Sequence, residues 1–210
     1  MTSGASPRRV RPLLIALIFL FASAPAAAVP PAPKPATVRV LLETALGEIE
    51  LIVDVAHAPV TARNFLRTVE AGRYDGGRFH RTVTPENQPD KKEKIDVIQA
   101  GVAPGQEKLD GPPIPLERTR DTGLTHVDGA VSMARDTPDS ATSDFFLCVG
   151  DQPSLDFGGA RNPDGQGFAA FGRVVRGMDV VRRIWRSPAK AQALEPPVVI
   201  VRARVLRGPE

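Results

Sequence analysis

Short apolar runs separated by turn residues dominate the chain from Val38 onwards and predict a mainly β domain. Runs of about four to eight residues that are rich in Val, Ile, Thr and Phe, and bounded by Gly, Pro, Asn or Asp, are typical of strands. The segment 45–47 (ALG) joins the first two runs as a hairpin. The predicted strands are 38–44, 48–53, 78–83, 96–100, 129–134, 144–149, 168–174 and 198–206.

Two segments instead show the period of an amphipathic helix. Residues 59–71 begin with Pro59, which suits the first turn of a helix, and Gly72 follows where the chain must leave it. A shorter helix is predicted over 178–185. Eight strands and two helices in one domain predict a closed eight-stranded antiparallel β-barrel capped by two α-helices, because closure removes exposed strand edges. The apolar positions on one side of the first helix are Ala62, Phe65, Leu66 and Val69.

The first 28 residues differ from the rest and predict a cleavable signal peptide. Arginines at positions 8, 9 and 11 precede the apolar run 13–22, and Ala26 and Ala28 have the spacing that a signal peptidase accepts. We therefore expect export, with cleavage after Ala28; an uncleaved N-terminal anchor is the alternative. Residues 29–37 are proline-rich and predict a semi-extended tether, which leaves residues 38–210 as the folded domain.

The charge balance does not indicate a nucleic-acid or membrane partner. The chain has 27 Lys and Arg against 24 Asp and Glu, and three of the arginines lie in the predicted signal peptide. The mature chain is therefore balanced in charge, and a basic surface for nucleic acid or anionic lipid is not expected after signal cleavage.

No residue pattern predicts a metal, cofactor or nucleophile site. His57, His80 and His126 are far apart in the sequence and lack a ligand-spaced acid or cysteine, and we expect His57 and His126 in turns or on the surface. The sequence has neither a phosphate-binding glycine loop nor a nucleophile elbow. The single cysteine, Cys148, lies in an apolar run and is predicted to be a small buried residue without a disulfide. The sequence therefore favours a function that needs no cofactor.

The segment 76–81 (GGRFHR) carries the most distinctive polar chemistry of any predicted strand. Alternation along a strand places Phe79 and Arg81 on one face and His80 on the other. A permanently charged, forked donor beside an aromatic ring suits a site that holds a carbonyl or amide against an apolar wall. A solvated arginine on the outer face of a barrel explains the same pattern.

Seven segments follow one another along the chain in a characteristic order: 46–51 (LGEIEL), 58–65 (APVTARNF), 78–81 (RFHR), 97–101 (VIQAG), 129–135 (GAVSMAR), 143–149 (SDFFLCV) and 167–181 (GFAAFGRVVRGMDVV). Together they resemble the cyclophilin family of peptidyl-prolyl cis/trans isomerases, and in particular its bacterial exported forms. The resemblance implies an eight-stranded barrel with two helices that isomerises X-Pro bonds in unfolded or folding polypeptides, without a cofactor. Together with the signal peptide it implies a periplasmic protein, which we expect to be a monomer.

The resemblance also implies the roles of individual residues. Arg81 would be the catalytic guanidinium that stabilises a twisted prolyl amide, Gln99 would hold the substrate backbone, and Phe146 would form a wall of the proline pocket. Ala134 and Arg135 would meet the peptide through their backbone. The substrate-binding positions implied in this way are Phe79, Asp96, Val97, Met133, Ala134, Arg135, Asp144, Leu155 and Phe168.

Three positions depart from the family pattern. Asp144 stands where glutamine is usual, Asp96 where an aromatic is usual, and Ser154 where many members have tryptophan, which implies weak cyclosporin binding. Two carboxylates near the pocket would neutralise Arg81, so a proline-segment-binding chaperone with little catalysis is a second interpretation. A small-ligand barrel of the lipocalin type is a third, although the helix at 59–71 argues against it.

Residues 84–94 (TPENQPDKKEK) predict a loop inserted between Arg81 and Gln99. A solvated excursion is favoured for this loop over a role in substrate selection.

Overall fold

The computed structural model describes residues 1–2 and 36–206. The signal peptide predicted for residues 1–28 and most of the tether predicted for 29–37 therefore lie outside the described residues.

Eight strands close into an antiparallel barrel, as predicted. Their order around the barrel is β1-β2-β7-β5-β6-β4-β3-β9, and β9 pairs with β1 to close it. The two-residue strand β8 adds only a short hairpin to the start of β9. The strands are β1 (Thr37–Thr44), β2 (Gly47–Asp54), β3 (Arg78–Val83), β4 (Val97–Gly101), β5 (Ala130–Met133), β6 (Phe145–Cys148), β7 (Ala169–Arg176), β8 (Ala189–Lys190) and β9 (Ala193–Leu206).

Three α-helices, rather than the two predicted, accompany the barrel in the described residues. They are α1 (Pro59–Glu70), α2 (Thr119–Thr122) and α3 (Met178–Trp185). The first packs against β2, β7 and β9, and the third packs against β2, β3 and β4. The single turn of α2 was not predicted, because four residues are too few to show a helical period.

Aromatic rings fill the interior of the barrel. Phe65 of α1 lies 5.3 Å from Phe145 of β6 and 5.1 Å from Phe171 of β7, measured between ring centroids. Tyr74 packs against Phe65 and Phe145, and its hydroxyl, the only polar group of its side chain, donates to the Ser143 carbonyl at 2.6 Å. The interior is therefore a packed core, and any binding site must lie on the outside of the barrel.

A β-bulge in β3 separates two side chains that simple alternation places together. Phe79 pairs with Ala100 and Arg81 pairs with Gln99, so His80 is an extra residue on β3. Phe79 is fully buried in the barrel core, whereas Arg81 lines a cavity on the outer face. The prediction that Phe79 and Arg81 share a face is wrong, because the extra residue shifts the alternation by one position.

Candidate active site

Three neighbouring strands bring polar and aromatic side chains into one row on the outer face of the barrel. Gln99 of β4 pairs with Arg81 of β3 on one side and with Phe146 of β6 on the other. Residues directly opposite each other in antiparallel strands point to the same face. Arg81, Gln99 and Phe146 accordingly line one open cavity of about 510 Å³.

Part of this cavity is an apolar floor formed by Val97, Phe146 and Leu155. Their exposed fractions are 3%, 5% and 0%, and they belong to a hydrophobic cluster distinct from the barrel core. Phe168 also lines the cavity and meets Phe146 edge to face, with ring centroids 5.4 Å apart. An apolar floor of this kind suits the ring of a proline, which has no polar group to satisfy.

Two glutamines fix the guanidinium of Arg81. Its Nη1 donates to Oε1 of Gln99 at 3.0 Å, and its Nε and Nη2 donate to Oε1 of Gln192 at 2.9 and 2.6 Å. Gln192 is itself held, because its Nε2 donates to the Asn87 carbonyl at 3.1 Å. Burial lowers the pKa of Arg81 from its ordinary value, but a guanidinium stays charged at physiological pH. The site therefore contains a fixed cation beside the apolar floor.

Asp144 orients the amide of Gln99. The Nε2 of Gln99 donates to Oδ2 of Asp144 at 3.0 Å, while its Oε1 accepts from Arg81. His80 lies 3.7 Å from the same carboxylate oxygen. Burial raises the pKa of Asp144, and the hydrogen bond from Gln99 and the charge of His80 partly oppose this rise. An ionised carboxylate can only accept hydrogen bonds, so it selects the amide orientation that presents Oε1 to Arg81.

Arg135 lines the cavity but its guanidinium is occupied. It forms a bidentate ion pair with Asp164 at 2.9 and 3.0 Å and donates to the Gly167 carbonyl, and its side chain is 1% exposed. The guanidinium also lies 5.1 Å from the ring of Phe168. The neighbouring Ala134 lines the cavity as well. Arg135 therefore holds the Phe168 segment in place and adds no free positive charge to the site.

Three of the residues predicted to bind substrate do not line this cavity. Phe79 lies in the barrel core, for the reason given above. Met133 is 1% exposed and also lies in the core, because it is the inward-facing neighbour of Ala134 at the end of β5. Asp96 lies just before β4 and is absent from the cavity lining. The core positions of Phe79 and Met133 contradict the prediction that these two residues contact substrate, whereas the role of Asp96 stays a prediction.

Asp96 forms neither a hydrogen bond nor an ion pair with Arg81. Its backbone N–H donates to Oε1 of Gln152 at 3.1 Å, and its Oδ1 is buried without a hydrogen-bond partner among the described residues. Burial and the nearby charge of Glu86 raise the pKa of Asp96. Within residues 36–206 no carboxylate forms an ion pair with Arg81, and Asp144 reaches it only through Gln99. No direct ion pair therefore neutralises Arg81, and the binding module with little catalysis stays an alternative that only Asp144, across Gln99, supports.

His126 lies behind the apolar floor, and the prediction that it is a turn or surface residue is wrong. It is 1% exposed, and its ring stacks on Phe146 with centroids 5.9 Å apart. Its Nδ1 lies 2.7 Å from Oδ1 of Asp156, and its Nε2 lies 2.9 Å from Oγ of Ser132. These partners come from other segments of the chain, so no local pattern could have indicated them. His57, in contrast, is exposed at the turn before α1, as predicted.

The loop 84–94 borders the cavity through Lys91 and is anchored at its base, while its other outer residues, Glu86, Pro89, Asp90, Lys92 and Lys94, are exposed, as a solvated excursion requires. Gln88 is 2% exposed and donates to the carbonyls of Thr84 and Ile95, which ties the two ends of the loop together. Arg161, from the segment after Leu155, donates to Oε1 of Gln88 at 2.7 Å and to the Glu93 carbonyl at 2.6 Å. Sequence reasoning missed Lys91, Arg161 and Gln192 as site residues. Arg161 and Gln192 reach the site through contacts distant in sequence, and Lys91 does so through the fold of its loop.

Several other features bear on the chemistry of the described part of the chain. No helix within it is long and apolar enough to cross a bilayer, and it contains no cluster of three or more His, Cys, Asp or Glu that could hold a metal ion.

Cys148 is buried and unpaired, as predicted, and burial raises the pKa of its thiol far above the ordinary value. The thiol is therefore neutral and unreactive.

Comparison with known proteins identifies the family. Residues 39–205 match the family described as cyclophilin type peptidyl-prolyl cis-trans isomerase/CLD. Peptidyl-prolyl cis-trans isomerase A of Dickeya dadantii is 32% identical over 208 residues, covering 95% of this chain and 98% of that protein. Peptidyl-prolyl cis-trans isomerase cyp18 of Streptomyces antibioticus is 35% identical over 171 residues, covering 79% of this chain and 96% of that protein.

Solved structures agree with this family at the level of the fold. The crystal structure of a cyclophilin-type isomerase from Cryptosporidium parvum has a TM-score of 0.66 and 20% identity, covering 82% of this chain and 99% of that one. A second structure of that protein, determined in the presence of the dipeptide Ala-Pro, has a TM-score of 0.65. The lipocalin-type interpretation is therefore wrong. By sequence and fold alike, the chain belongs to the cyclophilin-type peptidyl-prolyl cis/trans isomerases.

Proposed function

We propose that Arg81 catalyses the rotation of X-Pro bonds by stabilising the twisted prolyl amide. The observation that carries the proposal is the position of the guanidinium, which Gln99 and Gln192 hold in a cavity whose floor is Val97, Phe146 and Leu155. This arrangement offers a fixed cation to an amide whose proline ring rests on the apolar floor.

The chemistry needs neither a nucleophile nor a metal, because no covalent bond is made or broken. Amide resonance sets a rotational barrier of about 20 kcal/mol, so that the uncatalysed reaction takes tens of seconds or longer. At the top of the barrier the prolyl nitrogen is pyramidal and has regained its lone pair. A donor aimed at that lone pair binds the twisted amide more strongly than the planar one, which is the condition for catalysis.

The remaining residues would restrict the motion to one bond. The apolar floor would hold the proline ring still, and Gln99 would bind the backbone on the carbonyl side. Since Asp144 fixes the Gln99 amide and Gln192 fixes the Arg81 guanidinium, both polar groups are in place before substrate binds. Donors held in advance need no reorganisation during the reaction, and they therefore contribute more to the rate than mobile ones.

The substrates we propose are proline-containing segments of unfolded or folding polypeptides in the periplasm. The open cavity supports this proposal, because it gives access to a chain that continues in both directions past the proline. The arginines and apolar run before Ala28 support export. We further propose that the mature enzyme acts as a monomer without a membrane or nucleic-acid partner, in keeping with its balanced charge.

The substitution Arg81→Ala tests the proposal. Loss of a charge-assisted hydrogen bond worth about 1.5–3 kcal/mol in the transition state should lower kcat/KM for an X-Pro peptide by roughly 10- to 100-fold. The measurement is the cis-to-trans rate of a proline peptide with purified residues 29–210. Arg204→Ala, which removes an exposed guanidinium from β9, is the matched control and should keep the wild-type rate. A wild-type rate equal to that of buffer, or an unchanged rate for Arg81→Ala, would refute the proposal.

A further inference from the structure

The cavity contains an excess of positive charge. Arg81, Lys91 and Arg161 all line it, and none of the three forms an ion pair with a carboxylate within residues 36–206. Arg135 does not add to this excess, because Asp164 already pairs with it. The cavity thus presents three cationic side chains without an ion-pair partner in the described residues, against two lining carboxylates, Asp136 and Asp144.

Arg161 is held in a fixed position. Its Nη1 donates both to Oε1 of Gln88 and to the Glu93 carbonyl, which are neutral acceptors. Gln88 is buried and anchored by its own hydrogen bonds to the two ends of the loop 84–94. Two loops therefore meet to orient one guanidinium toward the cavity, and Lys91 lies on the same loop as Gln88.

The two arginines lie close enough to repel each other. Burial and the charge of Arg81 lower the pKa of Arg161 from its ordinary value. Like charges in a partly desolvated site raise the free energy of the empty protein, and an anion placed beside them relieves this repulsion. A substrate that brings a carboxylate into the cavity gains that interaction.

We propose that Arg161 and Lys91 form an anion-selective subsite that favours substrates with Asp or Glu next to the isomerised proline. This inference rests on the proposed function, since it assumes that the proline binds beside Arg81. Long-range attraction between a cationic cavity and an acidic side chain gives specificity and a faster association rate.

The two carboxylates that line the cavity, Asp136 and Asp144, belong to other segments of the chain than Arg161 and Lys91. Asp144 accepts from Gln99 and faces His80, and Asp136 lies on the connection between β5 and β6. Lys91 instead lies on the loop 84–94, and Arg161 lies on the segment after Leu155, which its hydrogen bonds to Gln88 and Glu93 join to that loop. The subsite therefore keeps its positive charge although the whole cavity also contains acidic groups.

Matched peptides that differ only by Glu or Gln test this inference. Glu would be placed directly before the proline in one peptide and directly after it in another, each with its Gln counterpart. At low salt, kcat/KM should be about fivefold higher for Glu than for Gln at one of these positions. Added salt should reduce this ratio toward one, because it screens the attraction.

Two variants and a matched control assign the selectivity to the subsite. Lys91→Gln and Arg161→Gln should each lower the ratio of Glu to Gln activity. Lys92→Gln removes the same charge from an exposed neighbour that does not line the cavity, and it should keep the wild-type ratio. Arg161→Gln removes hydrogen bonds that join two loops and can therefore disturb their positions. Lys91 makes no side-chain hydrogen bond within the described residues, so Lys91→Gln tests the charge of the subsite without that disturbance.

The possible outcomes separate this inference from the proposed function. Equal rates for all Glu and Gln peptides, with normal turnover, would overturn the anion-selective subsite and leave the role of Arg81 intact. A wild-type ratio in the Lys91→Gln variant would likewise overturn it. Failure of the proposed function would instead appear as absent turnover of every peptide.

Discussion

At the scale of the residue, the active site depends on a chain of hydrogen bonds that ends at Asp144. Gln192 and Gln99 hold Arg81, and Asp144 holds Gln99. An amide or a protonated carboxyl at position 144 can donate as well as accept. Either group would allow the Gln99 amide to rotate and present its NH₂ group to the guanidinium. The aspartate, which departs from the glutamine usual in the family, removes that ambiguity when it is ionised.

This dependence predicts how activity varies with pH. Burial raises the pKa of Asp144, so the carboxylate becomes protonated as the pH falls through a value above that of an ordinary aspartate. Its hold on Gln99 weakens at the same point, and kcat/KM should decrease toward acid pH. Asp144→Asn should be slower than wild type at neutral pH and should lose the acid decrease. The measurement is kcat/KM for one X-Pro peptide from neutral to acid pH.

A second aspartate of the cavity provides the control for this pH profile. Asp136 lines the cavity but makes no hydrogen bond to Gln99, so Asp136→Asn should keep the acid decrease. His80 lies 3.7 Å from Asp144, and the pH profile of His80→Ala measures how much this neighbouring imidazole contributes. An Asp144→Asn enzyme with the wild-type pH profile would contradict this role of Asp144.

At the scale of the element, the bulge in β3 decides which residues reach the substrate. If Phe79, His80 and Arg81 formed a regular strand without the bulge, alternation would turn Arg81 toward the barrel core, where a guanidinium has no partner. Sequence patterns predicted β3 within its observed bounds, but they could not predict the bulge. A bulge depends on how two partner strands are paired, and the pattern of a single strand does not contain that information.

Deletion of His80 should therefore leave much of the activity in place, and His80→Ala should retain most of it. The deletion makes Phe79 and Arg81 successive residues, so a regular strand still pairs Phe79 with Ala100 and Arg81 with Gln99 and keeps Arg81 on the outer face. Peptide isomerisation and thermal unfolding would be measured for both variants. We expect the deletion variant to be active but less stable, because the local twist of the bulge is lost. Complete loss of activity in a folded deletion variant would contradict this account of how β3 orients Arg81.

At the scale of the whole molecule, the predicted signal peptide and the folded barrel occupy separate parts of the chain. The barrel and its helices lie within residues 37–206, and the predicted signal peptide precedes them. A domain whose core is closed by the pairing of β1 with β9 needs both ends of this range to fold. The predicted cleavage after Ala28 would therefore remove none of the strands that close the barrel.

Expression of the full chain in a Gram-negative bacterium tests the predicted export. The protein should appear in the periplasm with Val29 as its first residue. Ala28→Leu should block processing, because signal peptidase requires a small residue before the cut, and Ala36→Leu in the tether should not. Cell fractionation and N-terminal sequencing give the answer. Full-length protein in the membrane fraction would favour the uncleaved anchor, and unprocessed protein in the cytoplasm would contradict export.

The sequence by itself determined the elements of this protein and its family. Strand and helix positions follow from short-range periodicity and turn residues, so β2, β3, β6 and α3 were predicted to within two residues at each end. Arg81, Gln99 and Phe146 were implied by motifs that can be aligned without knowledge of the fold, and the structure brings them into one cavity.

Only the tertiary structure decided which side chains surround those three. Gln192 is 111 residues from Arg81 in the sequence, and Arg161 is 73 residues from Gln88. The core position of Met133 and the buried stack of His126 on Phe146 likewise depend on strands and loops that meet only in the folded barrel. Contacts of this kind arise from register and packing between distant segments, and neither leaves a periodic signal in the local sequence.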